Sequence, residues 1–254
     1  SQVLSTSTTT SNAAKSGLPA FHAQFQFGRD DKFVGGFGVN YKTTKAAWRN
    51  ALSQDERKNV GAFNFLAYAK AQFTENFAWQ IYGNYGENST ELLELGGVGV
   101  TYNLVDKKYK LQNSRNLALW TEFFGNFSPS FEWGLFGGFS QDFGYNRSNG
   151  YYFTGQMSNA YAQQLNTLEL AANSTLGPNG VVPINTWRIS PRFGWKSGNT
   201  KLAVEFDYTS TTWAGFETKT DGIIGTYTTG KLKKLAKDAT GDNFRVSLSL
   251  IQSF

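Results

Sequence analysis

Five charged residues in the last third of this 254-residue chain have the types and spacing that a functional surface needs. Arg188 and Arg192 lie four positions apart, Glu205 and Asp207 lie two positions apart, and Arg245 follows near the end. In an extended strand, residues separated by an even number of positions share one face. On neighbouring strands these side chains would place a basic group opposite an acidic one. Such a wall can attract anions, or it can form internal salt bridges, and the sequence alone favours neither.

Four more charged residues share the inward parity of their own segments. A membrane channel acts through the charge and width of its wall, so charged residues on a common face are its candidate functional residues. The nine residues predicted to line a pore are Arg188, Arg192, Arg245, Glu205, Asp207, Lys70, Lys42, Glu122 and Glu132.

Several kinds of chemistry are excluded by composition. Cysteine is absent and His22 is the single histidine, which excludes disulfides, thiolate nucleophiles and multi-histidine metal sites. Hydrolases built on outer-membrane barrels need a serine beside a histidine base, whereas His22 is followed by Ala23 and Gln24. We therefore expect no enzymatic activity, no cofactor and no metal.

The chain carries a formal net charge of +5, which is compatible with an anionic solute or surface. The sequence shows no helix-turn-helix spacing, zinc finger or long basic helix of the kind that reads a duplex. The densest basic run, residues 231–237, is short. Nucleic acid is therefore not an expected partner.

The strands that position these residues are indicated by apolar residues that recur at every second position. In residues 63–73, phenylalanine and alanine occupy one face and mostly polar residues the other. Segments of about 9–11 residues with one apolar face are typical of strands that cross an outer membrane in a closed barrel. The alternative is a soluble sandwich or lipocalin-like barrel, whose strands are usually shorter and more charged. Similar alternation occurs at 20–28, 33–42, 77–86, 117–124, 131–139, 187–195, 202–209 and 244–250.

Connections of two lengths alternate between these segments. Tight turns are predicted at 28–31, 74–76, 128–130 and 196–199, on the periplasmic side, since bacterial barrels have short periplasmic turns and long outer loops. This assignment requires residues 95–104 to stay out of the membrane. A Ser/Thr-rich outer segment is expected at 1–17, strands over 18–254, and long outer loops at 43–60, 88–115, 140–186 and 211–242.

The predicted fold is a transmembrane antiparallel β-barrel, with about nine to ten strands in this chain. Complete bacterial barrels have an even number of strands, and the count of spans here is odd. We therefore expect the chain to be the carboxyl-terminal part of a larger barrel of about 16 strands.

A family resemblance is carried by 113–115, 119–123, 134–139, 187–192, 197–198 and 203–209, with the arginine strand before the acidic strand as its most specific part. Over residues 112–254 the chain resembles the DcaP-like porins of Gram-negative outer membranes. This resemblance implies a trimeric channel in the cell outer membrane through which small, often anionic, solutes diffuse.

Two functions follow as expectations. The first is a porin for small hydrophilic, anionic solutes, forming a homotrimer and contacting outer-membrane lipid and lipopolysaccharide. The second is a non-conducting barrel that acts as a structural or partner-binding component of a surface complex. Inward Tyr68, Trp120 and Phe124 favour the second, because bulky side chains fill a lumen, whereas inner faces rich in Gly, Ser and Arg favour water.

Overall fold

The alternating segments form strands throughout the part of the chain that the structure describes. The structure is a computed structural model, and it describes residues 17–29, 32–49, 55–89, 95, 97–103, 108–145, 151–156, 182–221, 225–234 and 240–252. These residues contain twelve strands and no α-helix: β1 (Phe21–Arg29), β2 (Phe33–Arg49), β3 (Asp55–Thr74), β4 (Phe77–Glu87), β5 (Val98–Asn103), β6 (Lys108–Ser128), β7 (Phe131–Tyr145), β8 (Tyr151–Gln156), β9 (Val182–Ser197), β10 (Thr200–Asp221), β11 (Gly225–Lys234) and β12 (Thr240–Gln252). No helix in these ranges is long and apolar enough to cross a membrane.

All described pairings are antiparallel, which confirms the predicted all-β antiparallel class. Nine strands follow one another across the sheet in the order β1-β2-β3-β4-β6-β7-β9-β10-β12. The remaining three extend one end of it: β11 pairs with the last part of β10, and β5 pairs with the start of β6 and with β8. β5, which contains most of the segment 95–104, therefore lies outside the row of nine.

Four tight hairpin turns lie at one end of this row. They join Arg29 to Phe33, Thr74 to Phe77, Ser128 to Phe131 and Ser197 to Thr200. Because every second connection is tight, the longer connections all fall at the opposite end. The two ends of the sheet are therefore built differently, with a plain turn end and an elaborated loop end.

The strands extend further at the loop end than the sequence predicts. β2 continues to Arg49 and β3 begins at Asp55, so residues 43–49 and 55–60 of the expected loop form strand instead. The expected loops at 88–115, 140–186 and 211–242 likewise contain strand residues. Backbone hydrogen bonding continues as long as partners are available, whereas the apolar alternation stops earlier. Residues 1–16 lie outside the described ranges.

The two faces of the sheet have an inverted distribution of polarity. Large apolar side chains are exposed on the outer face, for example Phe127 at 69% and Leu248 at 75%. The inner, concave face buries polar residues, and the largest fully buried side chains include Asn64, Asn84 and Asn116. Water-soluble proteins show the opposite arrangement, since apolar side chains dominate their interiors.

The described sheet is open. Both β1 and β12 are exposed along their lengths, and among the described residues no pairing joins one to the other. Closure into a barrel, and the larger strand number, stay predictions.

Candidate functional site

An inner-face charge cluster occupies the concave side of β6, β7, β9, β10 and β12. Alternation places its residues there, because inward positions have one parity on each strand. Its ion pairs join five cations to four carboxylates. The cluster consists of Glu122, Glu132, Arg188, Arg192, Lys196, Lys201, Glu205, Asp207 and Arg245.

Asp207 holds together one part of this cluster. Its Oδ2 lies 2.7 Å from Arg188 Nη2 and 2.9 Å from Arg245 Nη2. Its Oδ1 accepts a hydrogen bond of 2.9 Å from Thr209 Oγ1. The Asp207 side chain is only 7% exposed. A carboxylate this buried is tolerated because two guanidinium groups and a hydroxyl replace its water.

Arg188 also binds a second carboxylate. Its Nη2 donates to Glu205 Oε1 over 2.7 Å, and the same oxygen accepts a 2.5 Å hydrogen bond from Ser190 Oγ. The guanidinium carbon lies 5.6 Å from the ring centre of Phe136, within the range of a cation–π contact. Arg188 thus contacts both a carboxylate, of Glu205, and an aromatic ring, of Phe136.

Arg192 reaches across a whole strand. Its Nη2 lies 2.7 Å from Glu122 Oε1 on β6, although Arg192 belongs to β9 and β7 lies between them. The guanidinium passes over Gly134, where an added Cβ would lie 2.7 Å from Arg192 Nε. The other oxygen of Glu122 accepts a 2.6 Å hydrogen bond from Gln80 Nε2.

A similar crossing occurs nearer the turn end. Glu132 of β7 lies over Gly194 of β9, whose added Cβ would meet its side chain at 2.7 Å. The carboxylate forms ion pairs with Lys196, at 2.7 Å, and with Lys201 of β10. A glycine at an inward position therefore lets a long neighbour lie flat on the wall.

Seven of the nine predicted residues come together in the cluster. The other two, Lys42 and Lys70, lie on the inner faces of β2 and β3, outside it. Sequence reasoning missed Lys196 and Lys201, because Lys196 was assigned to the turn at 196–199 and Lys201 lies between that turn and the alternating segment 202–209. The missed signal was parity: Lys196 has the parity of Arg192, and Lys201 that of Glu205 on the next strand.

The cluster presents paired charges along one wall. Each arginine and lysine in it has a carboxylate partner within ion-pair distance. In the described ranges no group of three or more metal-ligating side chains occurs. His22 lies on exposed β1 with its Nε2 at 3.3 Å from Gln24 Oε1. The arrangement can shape the field beside a water-filled space.

Among the cavities on the concave side, two are lined in part by Arg192 and Glu205. The larger has a volume of 590 Å³ and lies toward the turn end, where Gln72 and Asn76 face Lys201, Ser247 and Ser249 from the other side of the curved sheet. The sheet is therefore curved enough for distant strands to share one space. The smaller, of 230 Å³, lies on the wall beside the Arg188 and Arg192 ion pairs.

An aromatic row borders the charge cluster. Tyr82 of β4 and Trp120 of β6 are directly opposite in register, and their ring centres lie 5.9 Å apart at an interplanar angle of 20°. Phe136 of β7 follows at 6.0 Å from Trp120. Phe124 is also inward and half-buried. The Tyr68 hydroxyl accepts a 2.6 Å hydrogen bond from Gln24 Nε2 and donates one of 2.7 Å to Gln26 Oε1, both on β1.

A buried polar cluster lies nearer the loop end. The Ser89 side chain is fully buried, and its Oγ donates to Asn64 Oδ1 and lies 3.2 Å from Asn116 Oδ1. Asn84 Nδ2 lies 3.4 Å from the same hydroxyl. The short segment after β4 therefore folds onto the inner face and is held there by hydrogen bonds.

Comparison with known proteins adds little to this geometry. No family model matches the chain, and no curated protein matches it. Among solved structures, the chain is similar to the crystal structure of a Pseudomonas aeruginosa FadL homologue, with a TM-score of 0.35 and 11% sequence identity. The match covers 92% of this chain and 67% of that chain. A likeness at this level assigns neither a family nor a solute.

Proposed function

We infer that this chain forms part of the wall of an outer-membrane β-barrel and that small hydrophilic solutes diffuse along its inner face. The observation that carries this proposal is the inverted polarity of the sheet. Phenylalanine, leucine and tryptophan are exposed on the outer face, and asparagine, serine and charged residues are buried on the inner one. Exposed apolar area of this extent is stable against lipid and unfavourable against water.

The backbone supports the same proposal. In lipid each peptide group must be hydrogen-bonded within the protein. The long antiparallel strands inside the row meet this requirement with their two neighbours, and closure into a barrel would meet it for β1 and β12. The row of nine strands has tight turns at one end only, as expected when that end faces the periplasm and the elaborated end faces outward. The resemblance to the DcaP-like porins adds a homotrimer, and contact with the lipopolysaccharide of a Gram-negative outer membrane, to the proposal.

We propose that the channel has a weak preference for anions over cations. The inner-face charge cluster has one more cation than carboxylates, and Arg245 and Arg192 are the most exposed of its side chains, at 61% and 52%. The carboxylates are more buried than these two guanidinium groups, so a passing ion meets the positive groups first. The pairing prevents a strong preference, because each positive charge has a negative one beside it.

The second candidate function is a non-conducting barrel that binds a partner or supports a surface complex. It is favoured by the aromatic row, because apolar rings on a lumen wall also suit protein packing. The segment at Ser89, which folds onto the inner face, favours the same function.

The deciding experiment is single-channel recording on the native protein reconstituted in a planar bilayer, with the reversal potential measured in a salt gradient. Stable steps with a small anion preference are expected. An intact, heat-modifiable protein that inserts but gives no steps would overturn the channel and favour the partner-binding alternative.

A further inference from the structure

The smaller cavity on the wall combines aromatic side chains with paired charges. Its volume is 230 Å³, about eight times the volume that one water occupies in the liquid, which is the scale of one small ring. It lies where β6, β7, β9 and β10 meet at the end of the aromatic row. Its lining consists of Trp120, Glu122, Phe136, Arg188, Ser190, Arg192 and Glu205.

One side of this cavity is aromatic. Trp120 and Phe136 are both half-buried, with ring centres 6.0 Å apart and planes at 31°. The Trp120 ring stacks on the ring of Tyr82, its cross-strand neighbour. Part of each aromatic surface therefore stays accessible from the cavity, on side chains whose positions are fixed by packing. Rigid aromatic surface of this kind binds the apolar face of a ligand.

The other side is charged but balanced. Two guanidinium groups, of Arg188 and Arg192, face two carboxylates, of Glu205 and Glu122, and each pair lies at 2.7 Å. A charged ligand would have to compete with a partner already in place, and it would leave a charge of the opposite sign uncompensated. A neutral ligand needs only the N–H groups and lone pairs that the ion pairs leave over.

The ligand class follows from these two sides together. It must have an apolar face for Trp120 and Phe136 and a rim of groups that both donate and accept hydrogen bonds. It must also be uncharged and of single-ring size. We propose that this cavity is a binding site for one neutral pyranose sugar, which stacks its C–H face on Trp120 and directs its hydroxyls to the two ion pairs. This inference rests on the proposed channel, whose solute class it specifies.

The site is expected to be weak. A channel that retains its solute strongly would stop conducting, so binding must be readily reversible. A dissociation constant on the order of 1 mM corresponds to about 4 kcal/mol of binding free energy, which is within reach of one stacked ring and a few hydrogen bonds.

The test uses the native protein in planar bilayers with D-glucose, with sorbitol as the acyclic analogue and glucuronate as the anionic one. We expect glucose to reduce the channel current in a saturable way, with half-saturation in the millimolar range. Sorbitol lacks the ring face and should act at least tenfold more weakly. Glucuronate should also act at least tenfold more weakly than glucose, because its charge disturbs the paired wall.

Two variants and a second measurement separate the possible failures. Trp120→Ala should raise the half-saturating glucose concentration at least tenfold, whereas Trp195→Ala, a matched change on the outer face, should leave it unchanged. The same ligands are then titrated onto the detergent-solubilised protein by saturation-transfer NMR, which needs no current.

Each outcome decides between the two proposals. Current steps that glucose and sorbitol affect equally, or that respond to glucose equally in Trp120→Ala and the native protein, would overturn the sugar site and leave the channel intact. Saturable glucose binding that Trp120→Ala removes, in a protein without current steps, would support the site and overturn the channel. Neither steps nor binding would overturn both.

Discussion

The guanidinium of Arg192 on β9 reaches Glu122 on β6 across the full width of β7, with 2.7 Å between Nη2 and Oε1. The path is open because Gly134 of β7 presents no side chain there. The ion pair thus depends on a residue that carries no charge. It also joins strands that are not hydrogen-bonded to each other, so it stabilises the curvature of the wall as well as its charge pattern.

Replacing Gly134 should therefore change selectivity without changing any charge. In Gly134→Ala the new Cβ would lie 2.7 Å from Arg192 Nε, and the flexible arginine side chain would have to leave Glu122. We expect the released guanidinium to shift the reversal potential toward anions. The control is Gly137→Ala on the same strand, whose Cβ would meet nothing within 4 Å. Equal reversal potentials in the two variants would show that the crossing does not control selectivity.

A pair of neighbouring substitutions tests which face meets lipid. Leu119 points outward and is 43% exposed, and Ala118 points inward on the same strand. Leu119→Arg should destabilise the protein folded in lipid vesicles by about 2–4 kcal/mol, which is the cost of a cation near the bilayer centre. Ala118→Arg should destabilise it by much less. Chemical denaturation in vesicles measures both. If Leu119→Arg leaves the free energy of unfolding unchanged, this face lies in water.

Ser89 should be important for stability although it is far from the charge cluster. Ser89→Ala removes the hydroxyl that donates to Asn64 Oδ1, and this buried amide oxygen loses that donor. A loss of about 1–3 kcal/mol in the free energy of unfolding is expected. Ser128→Ala, at the exposed last residue of β6, is the matched control and should change the free energy of unfolding little. If the two variants unfold at the same denaturant concentration, the polar cluster contributes nothing.

Charge reversal tests the arginine wall directly. Arg188→Glu with Arg192→Glu converts a cluster with one excess cation into one with three excess carboxylates. Anion preference should fall or reverse, as measured by the reversal potential. The control exchanges one pair, Arg188→Glu with Glu205→Arg, which keeps the net charge and should keep the selectivity near that of the native protein. Unchanged selectivity in the double reversal would refute the basic-wall hypothesis.

Much of the inner wall could be predicted from parity alone. The alternation placed Arg188 and Arg192 on one face, and the tight turn before Thr200 placed Glu205 on the adjacent strand. Parity says nothing about how far a side chain extends. The contact between Arg192 and Glu122 therefore had no signal in either strand, because it depends on the gap at Gly134 between them.

The sequence by itself determined the nine strands of the row, their faces and the tight turns, since these depend on local rules: alternation of side chains and short polar turn segments. It did not determine how far these strands extend at the loop end. Only the tertiary structure decided that the predicted basic wall is a set of ion pairs, that Arg192 reaches Glu122 across β7, and that Trp120 and Phe136 border a cavity beside it. Those features depend on curvature and on cross-strand reach. Both are set by how whole strands pack, and no local pattern in the chain encodes them.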